Sequence, residues 1–246
     1  MRGLARQEGR FVRGMYIDDA APRDRYPFDL PVIGRLAASG GMQWPAGVTF
    51  LVGENGSGKS TLIEGLATAV GLNAEGGSQN YRFATRPTES DLGKNMTVVW
   101  GPSKPRSRFF LRGESFYNLA TASENLGGSQ LELFGGVSPH QRSHGESFLD
   151  LMRNRFFPDG LYIMDEPESA LSPRGCMAAV ALLTELASAR CQIIIATHSP
   201  ILLSVPGATI LEVDEEVKPV SYDEAMPVRL TREFLQSPER FLRHLL

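Results

Sequence analysis

Gly53-Glu54-Asn55-Gly56-Ser57-Gly58-Lys59-Ser60-Thr61 follows the apolar run VTFLV and leads into LIEGLATAV, whose apolar spacing is helical. A buried strand, a glycine-rich turn and a helix in that order predict a phosphate-binding loop. Glycines at 53, 56 and 58 let the backbone curl so that its amides point inward, with no side chain blocking a polyphosphate. The helix starting near Lys59 adds its positive end, the Lys59 ammonium suits the outer phosphates, and the Ser60 hydroxyl suits a magnesium ion. The ligand expected for residues Gly53 to Thr61 is therefore a Mg-nucleoside triphosphate.

The second half of the chain supplies the chemistry that such a ligand requires. Leu161-Tyr162-Ile163-Met164 is a continuous apolar run ending in Asp165-Glu166-Pro167-Glu168. It predicts a buried strand that delivers carboxylates at its C-terminal end, where open parallel sheets place ligands. Ser172-Pro173 predicts a capped helix start continuing through MAAVALLTELASAR, and Ile193-Ile194-Ile195-Ala196-Thr197 predicts another buried strand, ending in His198-Ser199-Pro200. This alternation of strand and helix implies a parallel α/β sheet.

Successive side chains of a strand point in opposite directions, so the adjacent acids divide labour. Asp165 is expected to face the magnesium ion, and Glu166 the water that attacks the γ-phosphate. Standing alone, the acidic pair would read as a turn capping the next helix; beside a phosphate loop it reads as catalytic. His198 closes the following strand, where its side chain is expected at the γ-phosphate edge.

A chain of 246 residues with 25 Lys plus Arg against 28 Asp plus Glu gives a net charge of -3, which favours neither nucleic acid nor membrane partners. The arginines at 2, 6, 10 and 13 are not followed by an apolar signal core, and no apolar run approaches the roughly 20 residues of a spanning helix. Cys176 and Cys191 lack metal-type spacing and read as buried thiols of a cytoplasmic protein.

Ahead of the loop, LPVIGRL and VTFLVG flank SGGMQWPAG and suggest a strand-forming lead-in. TVVW and RFFLR, around the basic turn GPSKPRSR, predict a hairpin. Residues 115–147, rich in Gly, Ser and Asn, have the composition of functional loops. Ser237-Pro238 predicts a terminal helix whose apolar face is Phe241, Leu242, Leu245 and Leu246, packed back on the domain.

The ordered set GENGSGKST, RSHGES, LYIMDEPESALS and IIIATHSP resembles the ABC-type ATPases, and most closely the compact bacterial "AAA family" ATPases that carry ABC-like motifs without a transporter subunit. The resemblance implies an α/β P-loop fold with a mainly parallel central sheet, flanking helices and an antiparallel β lead-in. It also implies one domain over 1–246, divided into a lead-in (1–48), a nucleotide-binding core (49–214) and a C-terminal extension (215–246).

It further implies binding and hydrolysis of ATP with Mg2+ by a homodimer in which each subunit completes the other's site, driving an effector protein. Ser143 and Gly145 would then be the signature residues that contact phosphate across the dimer, although a plain helix cap explains the same letters. The departures of His144 and Glu146 from the transporter consensus weaken a transporter reading. The Lys59 to Ser143 interval is too short for coiled-coil arms. No glutamine ends a strand where the family has its glutamine loop; Glu114 is the best stand-in and Gln79 a poorer one. Tyr26 and Phe28 are the candidates for stacking on adenine, and the basic turn Lys104, Arg106, Arg108 the candidate for nucleic-acid contact.

Overall fold

The computed structural model describes residues 10–74, 76–77, 91–114, 116 and 144–245. Strand β1 (Val12–Ile17) is followed by helix α1 (Pro31–Ser39), the short β2 (Met42–Gln43) and β3 (Val48–Val52). Next come α2 (Lys59–Ala69), α3 (Asp91–Lys94), β4 (Met96–Trp100), β5 (Ser107–Arg112), α4 (His144–Arg155) and β6 (Gly160–Asp165). A 3-10 turn (Pro167–Ala170) leads to α5 (Pro173–Ser188), β7 (Gln192–Ala196), β8 (Thr209–Val213), β9 (Val217–Val220), α6 (Met226–Gln236) and α7 (Pro238–Leu245).

Among the described residues these strands form two sheets. The central one has the order β5-β6-β7-β3-β8-β9, parallel throughout except for the β8–β9 pair, and the other is antiparallel, ordered β2-β1-β4. Every residue of β3, β6 and β7 is buried, as expected of strands covered on both faces. Alternation then splits each apolar run between two cores. Phe50, Tyr162, Met164, Ile193 and Ile195 pack on one face with Phe148 and Met152 of α4 and Leu183 of α5. Leu51, Leu161, Ile163 and Ile194 pack on the other with Ile33 of α1, Leu62 and Leu66 of α2 and Met15 of β1.

Two expectations are corrected. LPVIGRL is not a strand: Pro31 opens α1 and Gly40, at φ 78°, closes it, and this proline-first, glycine-last pairing outweighs the short apolar run. TVVW and RFFLR do not pair as a hairpin. Instead β4 pairs with β1 in the antiparallel sheet, whereas β5 pairs with β6 at the edge of the parallel one. The other described elements match, including the α5 start, where Ser172 Oγ accepts from the Gly175 amide at 3.1 Å. Of the loop expected over 115–147, residues 144–147 begin α4, and residues 115 and 117–143 lie outside the described residues. Both cysteines are buried and free. Helix α7 rests on α6 through an edge contact of Phe241 with Phe234, and Leu242 stays exposed.

Gln192 fastens the lead-in to the core. Its Oε1 accepts from the Phe11 and Val12 amides at 2.9 and 2.8 Å, while its Nε2 donates to the Val12 and Pro45 carbonyls at 2.8 and 2.9 Å. A fully buried amide with its bonding capacity used in this way fixes the antiparallel sheet over α2.

The register of the central sheet positions the site. Arg112 pairs with Asp165, Asp165 with Ala196, and Ala196 with Leu51, so β5, β6, β7 and β3 all end at one level. Backbone bonds extend this alignment one residue further: the Gly113 amide donates to Asp165 O, Glu166 to Ala196 O and Thr197 to Leu51 O.

Candidate active site

At the end of β3 the chain turns through residues 53–58 into α2. Gly53 sits at φ 149°, and a Cβ there would lie 2.1 Å from the Val213 carbonyl oxygen, so the loop can pass β8 only as glycine. Gly58 caps α2 at φ 97°, where a Cβ would meet Val32 of α1 at 2.8 Å. Glu54, Asn55 and Gly56 are exposed, while Gly58 and Lys59 are buried. The Lys59 Nζ donates to the carbonyls of Gly53 (2.9 Å) and Glu54 (2.8 Å), which closes the loop around its ammonium. Burial lowers the Lys59 pKa, opposed by the negative charges of Glu166, Asp165, Glu54 and Glu168. Four carboxylates thus act on one buried cation.

Asp165 ends β6, is 6% exposed, and has no hydrogen-bond partner for Oδ1. Together with Ser60, Arg112, Glu114 and Glu166 it lines a cavity of about 60 Å3, more than one water requires. A buried, unpartnered carboxylate oxygen beside a serine hydroxyl fits Mg2+, which takes one or two protein oxygens and completes its octahedron with phosphate and water. Burial raises the Asp165 carboxyl to about 6, against the opposing pull of Arg112 and of the Ser60 hydroxyl.

Between pH 3.8 and 6 the folded chain therefore holds more protons at this carboxyl than the unfolded chain, and stability falls as pH rises through that window. Above pH 6 the ionised, ligand-free carboxylate costs on the order of 3 kcal/mol. Asp165→Asn is accordingly expected to raise the melting temperature of the ligand-free protein at pH 7.5, with the difference vanishing near pH 4. Equal melting temperatures at both pH values would contradict this.

Glu166 adopts φ 48°, a left-handed conformation, and lines the same cavity as Asp165. Its Oε1 lies 3.8 Å from His198 Nε2, which is buried and without a hydrogen-bond partner. Glu168 reaches across from the 3-10 turn, accepting from the His198 amide at 2.5 Å. Of the buried side-chain polar atoms lacking a partner among the described residues, Ser57 Oγ, Asp165 Oδ1, Glu168 Oε2 and His198 Nε2 all belong to the loop, the β6 end and the β7 end. Buried polar groups are normally satisfied, so this concentration, against Trp44 Nε1, Thr49 Oγ1 and Arg155 Nε elsewhere, makes this end of the sheet the candidate site for a polar ligand.

The structure brings the loop residues, Asp165, Glu166 and His198 to one end of the sheet. Gly145, in the first turn of α4, lies against Ala170 and Leu171, with its Cβ position 3.5 Å from Ala170 O. Ser143 and Gln79 lie outside the described residues. Glu114 lines the same cavity as Ser60 and Asp165.

The two aromatic candidates now separate. Phe28 is 2% exposed and belongs to the core, whereas Tyr26 is 67% exposed and its hydroxyl lies 3.2 Å from Thr61 Oγ1. Two residues of the basic turn are engaged within the protein: Arg106 pairs with Asp159 at 3.7 Å, and Arg108 lies over the Trp100 ring and donates to Val70 O. Sequence reasoning missed Arg112, Glu64 and Glu168. Arg112 and Glu64 belong to no motif, and only the charge ending RFFLR hinted at the first; Glu168 sat inside the acidic run unassigned.

Fold and site define the class: an ABC-like P-loop ATPase fold, with its loop between β3 and α2 and its acidic pair at the end of β6. Residues 147–204, spanning α4 to the turn after His198, match the family model described as "AAA domain, putative AbiEii toxin, Type IV TA system". No curated protein matches the chain. Among solved structures, the SMC head domain from Thermotoga maritima is similar at 18% identity and TM-score 0.45, over 86% of this chain and 99% of that one. An inward-facing putative metal-chelate type ABC transporter is similar at 17% identity and TM-score 0.45, over 76% of each chain. The cbiO1 structure from Clostridium perfringens, part of the ABC transporter complex cbiONQ, is similar at 18% identity and TM-score 0.44, over 84% of this chain and 90% of that one. Among the described residues, no helix is long and apolar enough to cross a membrane.

Proposed function

We propose that this chain binds Mg-ATP at the C-terminal end of the central sheet and hydrolyses it. The observation that carries the reading is the gathering of unpartnered buried polar atoms on the phosphate loop and on the ends of β6 and β7, with the Lys59 ammonium held by the loop's own carbonyls. The backbone amides of residues 53–58 and the Lys59 ammonium bind the phosphates, and Tyr26 stacks on the base. Ser60 and Asp165 would hold Mg2+, which when bound supplies positive charge to the β- and γ-phosphate oxygens.

Glu166 orients a water against the γ-phosphorus and accepts its proton. The new P–O bond forms as the bond to the β–γ bridging oxygen breaks, releasing ADP and phosphate. His198, next to Glu166, faces the γ-phosphate edge and senses its presence. These roles require only positioning and charge, which suits groups held on the rigid ends of β3, β6 and β7.

The working unit is proposed to be a two-fold dimer closed by ATP, with Ser143 and Gly145 of each subunit reaching the other's nucleotide and hydrolysis reopening it. Residues 49–214 would carry this engine, with an effector protein as its client. The test is phosphate release by the purified chain with ATP in Mg2+ and in EDTA. Release confined to Mg2+ is expected; tight ATP binding without release would instead leave a nucleotide-dependent recruiting switch.

A further inference from the structure

Arg112 is the last residue of β5, side by side with Asp165 in the parallel register. Its Nη1 donates to Glu64 Oε2 at 3.2 Å and to the Ala74 carbonyl at 3.3 Å, and its Nη2 lies 3.6 Å from Asp165 Oδ2. The side chain is 24% exposed, so these contacts form where solvent screening is reduced. Glu64 stands one turn after Ser60 on α2. One guanidinium therefore joins the helix that carries Ser60 to the strand that carries Asp165.

The geometry divides the oxygens of Asp165. Arg112 takes Oδ2, while Oδ1 remains unpartnered in the cavity that Ser60 also lines. Without the guanidinium, Asp165, Glu114 and Glu166 would leave a cluster of like charges around a small cavity, and Asp165 would lose the contact that fixes its rotamer. A planar fork suits this task because it holds two carboxylates in set directions, whereas an ammonium is a single point charge.

We propose that Arg112 is a positioning residue of the magnesium site, fixing Asp165 through Oδ2 so that Oδ1 is presented to the ion. The inference rests on the Mg-ATP reading above. It acts on the metal-dependent part of nucleotide binding, and that part is read without turnover.

The experiment is a titration of the full-length chain with a fluorescent, non-hydrolysable ATP analogue, once in Mg2+ and once in EDTA. The quantity read is the ratio of the two affinities. In Arg112→Gln the Mg2+-dependent gain is expected to fall by about tenfold, the scale of a lost charge-assisted contact, while affinity in EDTA changes by less than about threefold. Arg112→Lys keeps the charge and loses the fork, and its gain is expected to lie between wild type and Arg112→Gln.

An unchanged gain in Arg112→Gln, or equal losses in Mg2+ and EDTA, overturns the proposal, because the residue would then be idle or merely structural. If Arg112→Gln does not fold, Arg112→Lys decides in the same way: a reduced gain supports the proposal and a wild-type gain overturns it. A wild type that gains nothing from Mg2+ would instead overturn the Mg-ATP reading itself.

Discussion

Glu166→Gln is expected to lower ATP turnover by roughly a hundredfold or more while ATP affinity stays within a few-fold of wild type, the scale of a lost general base. The surroundings of Glu166 make this substitution clean. Its amide is fixed by Ala196 O, its carbonyl accepts from both the amide and the hydroxyl of Ser169, and its left-handed φ is set by that backbone rather than by the side chain. Glutamine has the same shape and fills the same space between Ser60 and His198, but it cannot accept a proton from water. The phosphate-binding groups on the loop are untouched, so binding and chemistry separate. Stopped-flow binding together with steady-state phosphate release checks both numbers. Normal turnover in Glu166→Gln would move the base to another residue, with Glu168, which accepts from the His198 amide, and Glu114, which lines the same cavity, the candidates.

Lys59→Ala is expected to reduce ATP affinity by at least about a hundredfold, as charge-assisted bonds to phosphate contribute roughly 1.5–3 kcal/mol each. The same ammonium bridges the Gly53 and Glu54 carbonyls, so its removal also loosens the loop that aims the backbone amides. Both effects act in one direction. Isothermal titration with Mg-ATP measures the loss, and the melting temperature controls for folding, since Lys59 is buried amid the charges of Asp165, Glu166 and Glu168. Unchanged affinity would remove the phosphate-loop assignment.

The parts of the site that the sequence disclosed are those whose chemistry is local to the backbone. A loop that must wrap phosphate needs glycine at 53 and 58, and both positions show why: one passes the Val213 carbonyl, the other sits at positive φ against Val32. Apolar runs ending in Asp165 and His198 betrayed buried parallel strands in the same way, since both faces of such a strand are covered and mostly apolar.

What stayed hidden depends on pairing over long sequence distances. RFFLR sits close to TVVW in sequence, and nearness favoured a hairpin; β5 instead joins β6 across the whole intervening segment, and that register alone brings Arg112 beside Asp165. Glu64 belongs to no motif. Gln192 precedes the apolar run Ile193-Ile194-Ile195, yet it holds four backbone groups of the lead-in and the loop after β2. Tyr26 and Phe28 are two residues apart, and only the packing of Phe28 into the core left Tyr26 free to face Thr61.

The most direct test of the central claim is a diffraction structure of the chain with Mg2+ and a non-hydrolysable ATP analogue. Triphosphate density wrapped by residues 53–58 is expected, with its γ-phosphate between Lys59 and His198, and an ion held by Ser60 and Asp165. Nucleotide bound elsewhere, or an ion that contacts neither Ser60 nor Asp165, would contradict it.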